Sequence, residues 1–452
     1  MSTMASDLRL AWQLVRGSDR RESWRITLTA AGAALATGFA LVAATLASLQ
    51  GSYRLSLFHG LLDQPGTRAG VISGLLLLLV PVLGFLGQCA RIGAVHRDRR
   101  LAGLRLAGAT PWQVRRIAAL ETGHACLLGS AVTTAFSVVC LLRLWSGPTP
   151  LTWAALASVA VGVPVLGAAA GAFALRRVVA SPLGRVRRVH PKAGRGPGLL
   201  SLGGGLAMVA GLASLAMYGG HVSGNRIDWR MPLTVMGLVV TLGAGAVWLS
   251  GVTARHTGRL LAARARTAAP LIAGERLRDD PWAAARSHAA VLLVTVVGTV
   301  FLCVQHAMRT ELSRQNHPAA DMAYYTTGLN LTGAAVLVAL AITLSGLAVG
   351  TAESLASRRR ALAAQVAAGV QRPVLNRALL LETALPLAPG LLLAGTGGMA
   401  IGVAYSTATG VGSVPWTALL VAPVMYGSCL LAAATALPLL GRWVRPGELR
   451  YA

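Results

Sequence analysis

Acidic side chains are almost missing from this chain: 15 of its 452 residues are Asp or Glu, against 41 Lys and Arg. None of the 15 stands in the middle of an apolar run; Glu121, Glu353 and Glu382 come closest, and all three lie at segment edges. That absence argues against a proton- or sodium-coupled carrier, which places carboxylates at membrane depth, where their expense marks function. Charge of either sign is scarce too, at 12% of residues, when a soluble domain carries about 25%. With 54% hydrophobic residues, the chain reads as an integral membrane protein.

Other absences narrow the chemistry. No GxxxxGK[ST] loop occurs, so ATP is not bound in the P-loop manner. There is no HExxH, no Cys/His ligand cluster and no nucleophile–base constellation. The five cysteines (Cys89, Cys126, Cys140, Cys303, Cys429) fall inside or at the ends of apolar runs without ligand spacing, and read as small packing residues. His124 and His306 sit near the membrane edges as interfacial packing residues, and the glycines of 203–205 lie in an apolar run, where they let helices approach closely. No enzyme activity, metal or directly bound cofactor is expected. Lysine occurs once, at Lys192; the arginine bias fits a GC-rich genome.

What is present is length and apolarity. Ten runs, near 26–48, 69–90, 122–145, 152–175, 198–218, 232–253, 287–308, 327–350, 383–404 and 415–440, are long enough to cross a bilayer, which takes about 20 residues of helix. Helix follows because lipid leaves each span to satisfy its own backbone. With the N-terminus in the cytosol, inward segments hold 34 of the 41 basic residues; Arg54, Arg68, Arg143, Arg226, Arg230, Arg309 and Arg314 are the outward seven. This is a positive-inside pattern with both termini cytosolic. The net charge of +26 is therefore topology, and nucleic-acid binding is not expected, because the basic residues sit in short juxtamembrane stretches. The first run is too long for a signal peptide and reads as a retained helix.

Two arginine-flanked segments, 97–122 and 358–383, repeat each other at an offset of 261 residues. Arg97, Arg99, Leu101, Ala102, Ala107, Gly108, Arg116, Glu121 and Thr122 match Arg358, Arg360, Leu362, Ala363, Ala368, Gly369, Arg377, Glu382 and Thr383. The fold expected is an all-α polytopic membrane protein of two four-helix units in parallel repeat, 1–178 and 262–452. A two-helix spacer with basic cytosolic linkers, 179–261, joins them, and its stretch 258–269 reads as a short amphipathic helix at the headgroups.

Within each repeat the sequence predicts an elbow just inside the membrane. Gly108 ends a basic segment as a C-terminal cap does. Thr110 and Pro111 then restart helix as N-cap and first helical residue. In the second copy Gly369 keeps the break, but Val370 and Gln371 replace the Thr–Pro pair, so a less sharply defined elbow and a milder effect of substitution at Gly369 are expected. Glu121 and Glu382 either pair with Arg116 and Arg377 or their neighbours, fixing the elbows, or snorkel at the inner interface.

The run LAGLRLAGAT followed by QVRRIAALE resembles the cytosolic coupling segment of FtsX-like and MacB-type ABC transporter permeases. The resemblance rests on Leu104, Arg105, Gly108, Ala109, Thr110, Val114, Leu120 and Glu121, and in the second copy on Arg360, Leu362, Gly369, Val374, Leu381 and Glu382. The ten-helix, two-unit layout is like that of the bacitracin-exporter class, but the outward loops near 49–68 and 309–326 are too short for that class's large extracytoplasmic domain. The resemblance implies a multi-pass permease of the bacterial cell membrane. It would couple ATP hydrolysis by a separate ABC ATPase, two copies per chain, to export or membrane extraction of a hydrophobic or amphiphilic cargo. ATP and Mg would enter only through that partner. Docking falls to Arg99, Leu101, Leu104, Arg105, Gly108, Ala109, Thr110, Arg360, Leu362 and Gly369. The alternatives are an ATPase-independent secondary transporter or channel, or a permease that relays motion as a signal.

Overall fold

The computed structural model describes residues 20–49, 62, 65–89, 103, 106, 108–144, 148–174, 230–314, 319–408 and 415–438. Among these, every regular element is a helix: α1 (Arg20–Ser48), α2 (Pro65–Cys89), α3 (Pro111–Leu144), α4 (Pro150–Ala174), α5 (Arg230–Arg264), α6 (Ala268–Asp279), α7 (Pro281–Arg314), α8 (Ala319–Ser357), α9 (Arg359–Ala367), α10 (Arg372–Ala408) and α11 (Val421–Ala434), the last preceded by a 3₁₀ turn, Trp416–Leu420. Four of them begin on proline, whose missing N–H costs nothing in a first turn. Eight helices are long and apolar enough to cross a membrane, and they fall on eight of the ten expected runs. The expected run 69–90 is the helix α2, while 198–218, with the glycines of 203–205, lies outside the described residues.

Two expectations are corrected. Residues 258–264 are no separate amphipathic helix but the end of α5, which at 35 residues outruns the bilayer. The separate short helix is α6, and it packs on protein: its buried face carries Ala269, Ala273, Gly274 and Leu277. The outward loop near 309–326 is mostly helical, since α7 runs to Arg314 and α8 starts at Ala319.

The contacts divide the chain into two units, Met1–Gln50 with Val82–Val189, and Gly51–Pro81 with His190–Ala452. In the first, α1, α3 and α4 pack together by way of small residues. A Cβ on Gly129 would collide with the Ala30 carbonyl, and one on Gly167 with Cys126 Sγ. Hydroxyls add polar links, Ser48 to Thr152 at 2.8 Å and Ser130 Oγ donating to the Ala160 carbonyl at 3.1 Å. Large apolar side chains such as Val132, Phe136 and Leu166 point outward, the arrangement lipid demands.

The second unit is built around α5, α7 and α10, so α5, assigned to the spacer by sequence, packs here. Glycines on α10 admit both neighbours: Gly397 faces Leu242 of α5, while Gly398 and Gly402 face Thr299 and Cys303 of α7. Two buried threonines return their hydroxyls to the preceding turn, Thr295 to the Val291 carbonyl and Thr299 to that of Thr295, both at 2.8 Å, which satisfies those two hydroxyls within their own helix. Pro386 and Pro389 sit inside α10. Helix α6 crosses both α5 and α10, with Gly258 and Gly274 allowing backbone contact and Ala273 against Ala378.

Candidate functional site

Among the described residues, two glycines have positive φ, Gly108 at 96° and Gly369 at 90°. They stand 261 positions apart, in register with the repeat. The left-handed region is open to glycine and costly to residues with a Cβ, so the same backbone reversal is written into both copies.

The second copy can be built atom by atom. Arg359–Ala367 forms α9, and Ala368 caps it. The Gly369 N–H then bonds the Val366 carbonyl at 2.9 Å and the Val370 N–H that of Gln365 at 3.0 Å. These are the two crossed bonds of a Schellman stop. Val366 and Val370 both pack on a cluster of Leu355, Leu362, Leu375, Leu379 and Ala436. The next helix restarts at Arg372, with the Val374 N–H bonded to the Gln371 carbonyl at 3.1 Å. The break at Gly369 is thus a full Schellman stop, whereas the Thr–Pro pair that the second copy lacks acts on the helix restart. What the sequence alone did not show was the apolar seat beneath the turn.

One carboxylate ties this elbow to its surroundings. Glu382 of α10 accepts from Arg358, at the turn before α9, at 2.8 Å, and from Arg276 of α6 at 3.2 Å. Glu382 and Arg276 are each 16% exposed, so the pair is screened less than a surface bridge. Arg377, the partner suggested by sequence, is exposed, and the carboxylate turns instead to these two arginines.

The first copy is capped differently. Thr110 Oγ1 accepts from the Gln113 N–H at 3.3 Å, and Gln113 Oε1 accepts from the Thr110 N–H at 2.8 Å. This reciprocal capping box starts α3 one turn after Gly108, with Pro111 in the first helical position. Val114 and Ile117 are buried and hold that first turn down. Glu121 is buried as well, and both it and Arg116 are engaged with other groups.

The predicted docking residues separate into two groups. Gly108, Thr110, Arg360 and Gly369 are exposed and Ala109 is half-buried. Leu362 is 2% exposed and lies under α9, so it seats the elbow and cannot itself meet a partner. Arg99, Leu101, Leu104 and Arg105 lie outside the described residues. Two exposed apolar side chains flank the first elbow, Leu106, one of the leucines spaced among the arginines of 97–106, at 72%, and Trp112, which the sequence reading passed over, at 67% exposure. The signal for Trp112 was available, since it is a large aromatic side chain directly after the Thr–Pro pair and outside any of the apolar runs. Arg276 was missed because it lies 106 residues from Glu382 in the chain.

Among the described residues no group of three or more His, Cys, Asp or Glu side chains is placed to hold a metal ion. Residues 71–183 match the family of FtsX-like permease C-terminal domains, a stretch that takes in the first elbow with α3 and α4. No curated protein matches the chain.

Proposed function

We propose that this chain, whose residues 71–183 match the FtsX-like permease C-terminal domain, is the membrane permease of an ABC-type transporter and that its two elbows are the seats of a separate ATPase, one copy on each. Proteins of this family generally work with such a partner. The observation that carries the reading is the pair of positive-φ glycines at one register of an internal repeat. A backbone reversal kept twice over 261 residues, on the basic side of the membrane, fits a surface used twice.

On this reading ATP and Mg²⁺ stay with the partner, and closure of the ATPase dimer presses on both elbows. Each elbow continues directly into a spanning helix, α3 or α10, so displacement at the turn becomes tilt within the bilayer. Trp112 and Leu106 supply the apolar contacts of the first seat, with tryptophan well suited to anchor an interface. In the second seat the exposed Arg360, Ala364 and Ala367 share one side of α9, while Leu362 holds it from beneath. The cargo class is hydrophobic or amphiphilic and the direction outward, in keeping with spans that hold no carboxylate in their interior.

Co-purification from native membranes, followed by ATPase measurement in liposomes, tests this. A nucleotide-binding protein should be recovered at two copies per chain, and its hydrolysis should rise when the permease is present. Replacing Trp112 by Ala should lower that stimulation while leaving membrane insertion intact. Recovery of the chain with no nucleotide-binding protein would sink the reading.

A further inference from the structure

At the foot of α5 a cavity of 530 Å³ opens where the helix turns into α6. Its lining is mostly apolar, with Leu260, Leu261 and Leu385, and the exposed Arg264 and Arg266 stand at it together with Thr267. Its volume is that of a small-molecule site. Neither arginine has an acidic partner among the described residues, whereas Arg276, Arg278 and Arg286 nearby are held by Glu382, Glu275 and Asp280. Thr267 precedes α6 but makes no side-chain cap bond, so its hydroxyl remains available. The other threonine of the cavity is already committed, its hydroxyl donating to the carbonyls of Thr253 and Ala254.

We propose that this cavity binds the phosphate headgroup of an anionic phospholipid from the inner leaflet. Two guanidiniums without an acidic partner among the described residues, beside a threonine hydroxyl that makes no cap bond, match a phosphodiester, since arginine presents paired donors to phosphate oxygens. The apolar side selects a lipid over a soluble anion. Leu260 and Leu271, 54% and 45% exposed, extend it along the outside of α5 and α6, where an acyl chain can lie. Its place at the cytosolic end of a span, by the positive-inside distribution, is where anionic lipids meet basic pockets. The inference is separate from ATPase docking and stands without it.

The test uses full-length protein in non-ionic detergent, titrated with dioleoyl-phosphatidylglycerol and followed by native mass spectrometry of retained lipid. Arms with dioleoyl-phosphatidylcholine and with glycerol 1-phosphate separate charge from lipid. The variant R264Q/R266Q removes the site; R255Q/R259Q removes the same charge from exposed positions on the same helix outside the cavity. Melting temperatures in lipid-free detergent check that each variant is folded. Wild type and R255Q/R259Q should keep one tightly held phosphatidylglycerol, and R264Q/R266Q should hold it on the order of 30-fold more weakly. Equal losses in both variants, or no loss in R264Q/R266Q, would overturn the proposal. Glycerol 1-phosphate binding as tightly as the lipid would overturn it in favour of a soluble anion.

Discussion

A Cβ added at Gly108 or at Gly369 would meet no atom within 4 Å, so the burden of a substitution at either site is purely conformational. Alanine at each should therefore cost about 1–2 kcal/mol, with valine worse and asparagine milder. The two positions should respond alike, because both φ angles lie in the same region. Thermal unfolding of the two alanine variants checks this, and a twofold larger loss at Gly108 would contradict it. Thr110→Ala removes one half of the capping box and should cost about 1 kcal/mol. Adding Gln113→Ala should cost little more, since the two bonds form together; a double-mutant cycle on unfolding free energies measures that coupling.

Between elements, Glu382 is the joint that holds α6, the turn before α9 and α10 together. Replacing it by alanine leaves Arg276 and Arg358 facing each other without a counter-charge. Partial exposure tempers the penalty to about 1–2 kcal/mol, less than for a fully buried pair. Arg276→Gln should cost less, because Arg358 still neutralises the carboxylate, and added salt should narrow the gap between the two variants. Chemical unfolding at low and high ionic strength reads both outcomes. The elements also mark the limit of what sequence can tell. The spans that fall on described residues and both glycine breaks were legible, the former from apolar length and the latter from the repeat. The face of α9 was not, because Leu362 looks outward until Ala436 and Leu375 are brought beneath it. The amphipathic stretch was misplaced by one helix, since the arginines of 255–266 continue α5 past the membrane without a breaker.

For the whole molecule, the second unit depends on how closely α7 and α10 approach. At Gly398 a Cβ would lie 2.9 Å from Thr299 Cβ and 3.1 Å from the Val296 carbonyl, both fixed by backbone. At Gly397 it would meet only the flexible end of Leu242. Gly398→Ala should therefore destabilise the fold by about 1–3 kcal/mol and Gly397→Ala by less than about 1 kcal/mol. Melting temperatures in detergent would decide this, and equal losses would mean that α7 can shift away from α10.

The two prolines inside α10 make the repeat mechanically unequal. Beyond its first residue α3 has no proline and runs about 51 Å, so on the proposed docking a push at Gly108 would be carried along its whole length. In α10 the backbone bonds that Pro386 and Pro389 cannot make leave a compliant joint about 21 Å from Arg372. On the proposed docking at each elbow, a push at Gly369 would act on a short lever, the glycine-packed remainder of α10 being held against α5 and α7. The same push would then sweep one spanning helix whole and flex the other at its prolines.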